Sequence, residues 1–399
     1  MAPKSLLSLL LARRVVVIAG AGGVGKTTVA AALALSAAEQ GRRVLCLTID
    51  PAKRLFDRLG LDAASGAEQR VDPERFRAAG MTLTGELTLV MLDTKGTFDD
   101  LVRRYASSPE AARRILDNEF YHYVSTQLAG TQAYMAMEKV LSVLSDERFD
   151  VIVLDTPPAA DALDFLDAPE RLIETLDSAA LRWIADVFTR SGRMGVSIFA
   201  RSIALVLRGV ARLTGRGFLE HLAEFIARVN ELFGGFRERA ERVALAFRRP
   251  DFAYVLVAAP ASAALDAAAF FADRLERLGM RADALVVNRT RPLRGDEPPL
   301  ATVEAALRRH GIAAPPDLPE RIVQAYRDER AVAMLERRTL SEHAADGTPL
   351  GRERLPVRVE IPAFPETVED VAALAAMSRW IRGAAAPLTR AGVSSDSAP

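Results

Sequence analysis

The sequence predicts an α/β fold in which a mostly parallel β-sheet is flanked by helices. Seven short apolar runs support this prediction, because continuous runs of Val, Ile and Leu suit strands that are buried on both faces. Stretches that we interpret as helical follow these runs through most of the chain, which is the pattern of a parallel sheet with crossover helices. The expected strands are Arg14–Ile18, Val44–Ile49, Leu87–Leu92, Val151–Leu154, Tyr254–Ala258, Ala284–Asn288 and Val357–Ile361.

We expect one domain, residues 1–382, to contain the whole sheet. Residues 170–249 hold no convincing strand, and their apolar side chains recur at helical spacing, which predicts a helical subdomain inserted within that domain. The segment 98–145 is also expected to be mostly helical, and Leu6–Ala12 to form a short helix before the first strand. Residues 383–399 are small and polar, so we expect a disordered tail.

The composition is that of a large globular protein. The chain has 399 residues, 52 basic and 52 acidic side chains and a formal net charge of 0, and half of its residues are hydrophobic. This composition excludes a disordered chain, and the neutral charge argues against a nucleic-acid partner. The single cysteine, Cys46, cannot form an internal disulfide, and no apolar run reaches the roughly 18 residues of a spanning helix, so we expect a cytoplasmic protein.

The clearest functional motif is GAGGVGKTT, which lies between the first predicted strand and a helix. It satisfies the phosphate-loop pattern G-x-x-x-x-G-K-[ST], in which glycines let backbone amides surround phosphate oxygens at a helix N-terminus. Lys26 can reach the β- and γ-phosphates, and the Thr27 hydroxyl can ligate Mg²⁺. The fold is therefore expected to be that of a P-loop NTPase. The candidate nucleotide-binding residues of this motif are Gly20, Ala21, Gly22, Gly23, Val24, Gly25, Lys26 and Thr27.

Two aspartates end predicted strands of the same sheet. Asp155 closes the fourth strand in FDVIVLDTPP, where a Walker B aspartate supports Mg²⁺. Asp50 closes the second strand in LTIDPAKRL, where a carboxylate can orient or deprotonate an attacking water. Because the carboxyl ends of parallel strands meet at one edge, both are expected beside the phosphate loop. The alternative for each is a simple cap of the following turn or helix.

Taken together, these motifs resemble the ArsA and tail-anchor-targeting ATPase family of P-loop proteins. GGVGKTT, DPA and DTPP match, in order, its phosphate loop and its two switch regions, and VVNR and IPAFPETVEDVAAL resemble its later segments. The resemblance implies that Asp50 polarises the attacking water and that Asp155 supports the metal. It implies nucleotide contacts by Lys26, Thr27, Thr28, Asn288 (to adenine), Pro362, Ala363 and Phe364.

The resemblance also implies a mechanism. Members of this family bind ATP and Mg²⁺ and work as homodimers that close around two ATP molecules and open after hydrolysis. By the resemblance, the inserted helices of this chain would form or dissolve a client surface as the dimer closes and opens. We therefore expect a Mg²⁺-dependent ATPase that drives transport or targeting of a client. Two alternatives stay open: a regulatory ATP-binding module with negligible hydrolysis, and a DNA-binding partition-type ATPase.

Two departures from the family pattern concern hydrolysis. Ala21 occupies the position of a second lysine that reaches the partner's nucleotide, and either Lys53 or Arg54 is a candidate replacement. Both cations are equally compatible with solvated charges at a helix start. The segment DTPPAADALDFL lacks the usual glycine and histidine after DTPP, which leaves room for slow or weakly coupled hydrolysis.

The client is not defined by the sequence. One cysteine excludes an arsenite site built from several thiolates, and the four histidines show no metal-ligand spacing. Met194 is the single methionine of residues 170–249, so internal packing is favoured there over a methionine-rich client groove. Between Asp186 and Glu220 six arginines occur without an acidic residue. That stretch suits either a solvated helix face or contact with a membrane surface or membrane-protein client.

Overall fold

The structure is a computed structural model of the chain. It describes residues 5–49, 54–59, 61–62, 66–118, 121–122, 125, 131–144, 146–156, 167–171, 173–174, 238–293, 295–313, 315–364 and 371–383. Most of the expected helical insert at 170–249 and residues 384–399 of the expected tail lie outside these ranges. The proposed domain limits therefore stay predictions.

An eight-stranded sheet forms the centre of the described part of the chain. Its order is β3-β4-β2-β5-β1-β6-β7-β8. The β3–β4 pair is antiparallel, and the other neighbouring pairs are parallel, which confirms the predicted sheet. The strands are β1 (Val15–Gly20), β2 (Arg43–Thr48), β3 (Gln69–Arg70), β4 (Glu86–Met91), β5 (Val151–Asp155), β6 (Phe252–Ala258), β7 (Ala282–Thr290) and β8 (Val357–Pro362).

Seven of these strands correspond to the seven apolar runs, with bounds shifted by one or two residues. Every residue of β1, β5 and β6 is buried, which explains why those runs do not alternate with polar residues. The eighth strand, β3, was not predicted. It consists of two polar residues, Gln69 and Arg70, too few to produce a hydrophobic pattern.

Helices cover both faces of the sheet. The helix α1 confirms the predicted helix before the first strand, and α5, α6 and α7 confirm the mostly helical character of 98–145. Residues 238–247 are also helical. None of the helices within the described ranges combines the length and apolarity that crossing a bilayer requires. The bounded helices are α1 (Leu6–Ala12), α2 (Lys26–Glu39), α3 (Arg54–Leu59), α4 (Glu74–Arg77), α5 (Thr94–Tyr105), α6 (Pro109–Leu116), α7 (Thr131–Leu144), α8 (Ser262–Arg277), α9 (Leu300–Arg309), α10 (Leu318–His343) and α11 (Val371–Ile381).

The helix that follows the phosphate loop, α2, is fixed on several sides. It packs on the sheet and against α1 and α11, and its many alanines allow a close approach. The hydroxyls of Ser36 in α2 and Ser378 in α11 are 2.8 Å apart and fully buried. Because Ser36 also donates to the Ala32 carbonyl at 2.7 Å, this polar pair is satisfied within the core. The N-terminus of α2 therefore rests on a rigid support.

An ion pair joins β2 and β5 at the sheet edge opposite the phosphate loop. The Asp150 carboxylate accepts hydrogen bonds from the Arg43 guanidinium, at 2.7 and 3.2 Å, and from the Arg43 amide, at 2.8 Å. These hydrogen bonds lower the pKa of Asp150 from 3.8 to about 2.

Replacing Asp150 with Asn is expected to flatten the acid limb of the stability curve. The pKa of Asp150 is lower in the folded protein than in the unfolded chain. The carboxylate therefore stabilises the fold at pH values above its pKa in the unfolded chain, and this stabilisation is lost as the pH falls towards about 2. Urea midpoints measured from about pH 7 downwards should be lower for Asp150→Asn, and the difference should close below about pH 4. A difference that is constant across this range would contradict the assignment.

Candidate nucleotide-binding site

The phosphate loop leaves β1 at Gly20 and enters α2 at Lys26. Gly25 caps α2 with φ 92°, a left-handed conformation that glycine adopts easily. A Cβ atom on Gly20 would lie less than 3.0 Å from the Val257 carbonyl oxygen of β6, and one on Gly25 equally close to the Asn288 amide nitrogen. Close packing of the loop against β6 and β7 therefore requires glycine at positions 20 and 25.

Lys26 places its positive charge on this loop. The residue is 7% exposed, and its Nζ donates a hydrogen bond to the Ala21 carbonyl at 3.0 Å. Because Lys26 is also the first residue of α2, the partial positive charge of the helix N-terminus adds to that of the ammonium group. An anionic group at the loop would meet both charges.

The carboxylate of Asp155 lies on the strand next to the loop. Ile18 of β1 pairs with Asp155 of β5, and Asp155 is fully buried. Its Oδ2 accepts a hydrogen bond from the Thr48 hydroxyl of β2 at 3.1 Å. The following residue, Thr156, donates through its hydroxyl to the Ile18 carbonyl at 2.8 Å. Thr48 of β2 therefore holds the carboxylate, and β1 on the other side fixes the backbone end of β5.

The available donors fit a magnesium ion. The Thr27 hydroxyl follows Lys26 at the start of α2, and the Asp155 carboxylate ends the adjacent strand β5. Mg²⁺ prefers such oxygen ligands and keeps several waters or phosphate oxygens around it. The described ranges contain no group of three or more His, Cys, Asp or Glu side chains arranged as a metal site. The Thr27 and Asp155 oxygens suit a metal that shares its coordination shell with a nucleotide.

The ends of β7 and β8 meet the loop from the other side. Asn288, at 4% exposure, donates its side-chain amide to the Val24 carbonyl at 2.8 Å. In β8, Pro362 pairs with Thr290, and the Ala363 amide donates to the Thr290 carbonyl at 2.9 Å. Pro362 and Ala363, with Phe364 next in the chain, therefore follow the neighbouring strand to the same edge as Asn288. Asn288 anchors the loop whether or not it also contacts a base.

The structure thus brings most of the predicted site residues to one edge of the sheet. Residues 20–28, Asp155, Asn288 and 362–364 all lie at the carboxyl ends of β1, β5, β7 and β8. The described part of the chain does not include Asp50, Lys53 or the side chain of Arg54. It also does not include residues 157–166, which follow Asp155 and Thr156 of the DTPP motif. Ile49, which precedes Asp50, donates its amide to the Asp155 carbonyl at 3.1 Å.

Three contacts at this edge involve residues that the sequence did not single out. The Thr48 hydroxyl donates to the Asp155 carboxylate, and the Thr156 hydroxyl donates to a carbonyl of β1. The third contact is from Arg289, which donates to the Gly23 carbonyl of the loop at 3.2 Å. A polar residue at the end of an apolar strand was the available signal for Thr48. Arg289 belongs to the VVNR segment, which was interpreted only through Asn288.

Cys46 behaves as a core residue. It lies in β2 at 1% exposure, and burial raises the pKa of its thiol well above the usual range. A thiol that stays protonated is a poor metal ligand and a poor nucleophile. Cys46 therefore packs in the core as a small apolar side chain.

Comparisons with known proteins agree with this arrangement. The family model described as Anion-transporting ATPase matches residues 13–306. An "ATPase get3" of Aspergillus terreus is 28% identical over 222 residues, which are 55% of this chain and 60% of that protein. An "ATPase GET3" of Paracoccidioides lutzii is 29% identical over 228 residues, with the same shares. The chain therefore spans about 60% of the length of these relatives. Since the family model covers most of the chain, the protein belongs to the anion-transporting ATPase (ArsA) family.

Proposed function

We propose that the protein is a Mg²⁺-dependent ATPase that hydrolyses ATP to ADP and phosphate. The observation that carries this proposal is a buried cation and a buried carboxylate that follow or end two adjacent strands: Lys26 begins α2 after β1 and the phosphate loop, and Asp155 ends β5. This pairing suits a triphosphate with a bound divalent cation. Membership of an ATPase family supports the same activity.

In this proposal each group at the sheet edge has one task. The loop backbone and Lys26 bind the phosphates, while Thr27 and Asp155 hold Mg²⁺, with Thr28 beside them at the start of α2. Mg²⁺, when bound, neutralises charge that develops on the phosphate oxygens. Asn288 and the backbone of residues 362–364 hold the adenine.

Asp50 is proposed to act on the attacking water. It follows β2 in the sequence, and the resemblance of its DPA segment to a switch region supports a carboxylate that orients the water towards the γ-phosphorus. The oxygen of that water forms a new bond to phosphorus as the bond to the bridging oxygen of ADP breaks. The water's proton passes to the carboxylate or to solvent.

We further propose that hydrolysis drives a conformational switch in a cytoplasmic homodimer. The resemblance in the switch motifs supports nucleotide-dependent closing and opening of two subunits. The segment 170–249 is the proposed client-handling part, and its arginine-rich stretch suits a membrane protein or an anionic membrane surface. Both relatives described above are named as ATPases, which supports the hydrolytic part of this proposal.

The test is Mg²⁺-ATP turnover per subunit across a range of protein concentrations. Turnover per subunit should rise with concentration as dimers form, and EDTA should abolish it. In Asp50→Asn, turnover should fall by at least about 100-fold, because the carboxylate that orients the attacking water is removed. Asp346→Asn is the matched control, since Asp346 is exposed in the turn after α10 and should leave turnover unchanged.

Two results would contradict the proposal. Tight ATP binding with no turnover in either the wild type or Asp50→Asn would favour a regulatory ATP-binding module. A DNA affinity that falls steeply with salt would favour a partition-type ATPase. Turnover that does not depend on protein concentration would remove the dimer from the proposal and leave the hydrolysis.

A further inference from the structure

Arg289 has an unusual backbone conformation. Within the described ranges it is the one non-glycine residue with a positive φ, at 64°. Side chains with a Cβ atom rarely adopt this region, and strain of this kind persists only where the surroundings enforce it. Arg289 lies where the pairing of β7 with β8 shifts register, between Asn288 and Thr290.

Both neighbours of Arg289 are held by hydrogen bonds. Asn288 is bound to the Val24 carbonyl of the phosphate loop at 2.8 Å. On the other side, the Thr290 hydroxyl donates to the Ile361 carbonyl of β8 at 3.3 Å, and its carbonyl accepts from Ala363. These contacts enforce the strained conformation between them.

The strained turn directs the Arg289 side chain to the loop. The residue is exposed, and its guanidinium donates to the Gly23 carbonyl at 3.2 Å. Consecutive residues of β7, Asn288 and Arg289, therefore hold the consecutive carbonyls of Val24 and Gly23. Gly23 needs such a restraint, because it has a left-handed φ of 77° and nothing within 4 Å of where a Cβ atom would be.

We propose that Arg289 is a positioning residue that fixes the phosphate loop for nucleotide binding. The proposal rests on the proposed function, because it assigns the loop to a nucleotide. With the Gly23 carbonyl held from outside, the loop keeps a single conformation before the phosphates arrive, and less conformational entropy is lost on binding. The loop surrounds the α- and β-phosphates, which ATP and ADP share, so both nucleotides should depend equally on Arg289.

The experiment compares dissociation constants of the full chain for ADP and for a non-hydrolysable ATP analogue, both with Mg²⁺. Arg289→Gly and Arg289→Ala should weaken both ligands by about three- to tenfold, the effect of one exposed charge-assisted hydrogen bond. Arg289→Lys should fall between these variants and the wild type. Arg281→Ala is the matched control: Arg281 precedes the same strand at its other end and donates to the Arg354 carbonyl.

Thermal melting of the same variants separates positioning from general stability. Glycine adopts a φ of 64° without strain, so Arg289→Gly should melt at or above the wild-type temperature while its nucleotide affinity falls. Arg289→Ala loses the same hydrogen bond but keeps the strained backbone, so it should melt below Arg289→Gly.

Four outcomes decide the proposal. Unchanged affinity in Arg289→Gly would overturn the role of Arg289 and leave the proposed ATPase intact. A much larger loss for the ATP analogue than for ADP would overturn positioning in favour of direct contact with the terminal phosphate. A lower melting temperature in Arg289→Gly would overturn it in favour of a structural brace. A wild-type protein that binds neither nucleotide would overturn both this inference and the proposed function.

Discussion

Asp155→Asn is expected to lower Mg²⁺-ATP turnover by at least about 100-fold, the largest effect we predict at a described residue. Asparagine has nearly the same shape but no negative charge to support the cation. The asparagine side-chain oxygen can still accept the Thr48 hydroxyl hydrogen bond, so we expect Asp155→Asn to fold. The loss of activity should therefore occur in a folded protein.

Steady-state phosphate release measures this effect, and ADP affinity with and without Mg²⁺ identifies its cause. In the wild type, Mg²⁺ should strengthen ADP binding, and in Asp155→Asn this gain should disappear. The matched control is Thr48→Val, which keeps the shape of the residue and removes the hydroxyl that donates to Asp155. Its turnover should fall by less than about tenfold, because one hydrogen bond is lost but the carboxylate remains. If Asp155→Asn kept more than a tenth of wild-type turnover, its metal role would be excluded.

Gly20→Ala is expected to lower the free energy of unfolding by about 3 kcal/mol or more. Gly20 is the last residue of β1 and pairs with Val257 of β6, and the new methyl group would overlap the Val257 carbonyl oxygen. The carbonyl oxygen belongs to the backbone of a central strand and the new Cβ is fixed by the backbone of its neighbour, so relief of the overlap would require the two strands to separate. Nucleotide binding should be lost with the loop geometry.

Urea unfolding followed by far-UV circular dichroism measures this difference. Gly23→Ala, on the same loop, is the matched control. Its methyl group meets nothing within 4 Å, so only the left-handed φ of 77° opposes it, at about 1–2 kcal/mol. If Gly20→Ala and Gly23→Ala lowered the free energy of unfolding equally, loop conformation rather than packing against β6 would determine the requirement for glycine at position 20.

The sheet was predictable because local sequence carries its signal. Strands that are buried on both faces must be apolar throughout, so β1, β5 and β6 stand out as runs of Val, Ile and Leu. The phosphate loop was predictable for a related reason, since its spacing of glycines and lysine is a local requirement. The two-residue strand β3 carries no such signal, and its pairing with β4 depends on the folded sheet.

The contacts that complete the candidate site come from distant parts of the chain. Arg289 meets Gly23 only because β6 and β7 follow β1 in the sheet order, and its φ depends on a register shift against β8. Thr48 meets Asp155 because β2 and β5 are adjacent strands. A pattern read along the chain cannot reveal such pairs, because the spatial neighbours are far apart in sequence.

The order of the strands has a consequence for how the site forms during synthesis. The phosphate loop follows β1, but Val15 of that strand pairs with two residues that are synthesised later, Ile152 on one side and Phe252 on the other. The helix α2 is covered by α11, which is made later still, and the buried contact of Ser36 with Ser378 joins them. A nascent chain that has not yet produced α11 therefore leaves an apolar side of α2 open to water. We therefore expect the proposed nucleotide site to become stable only after α11 has docked on α2.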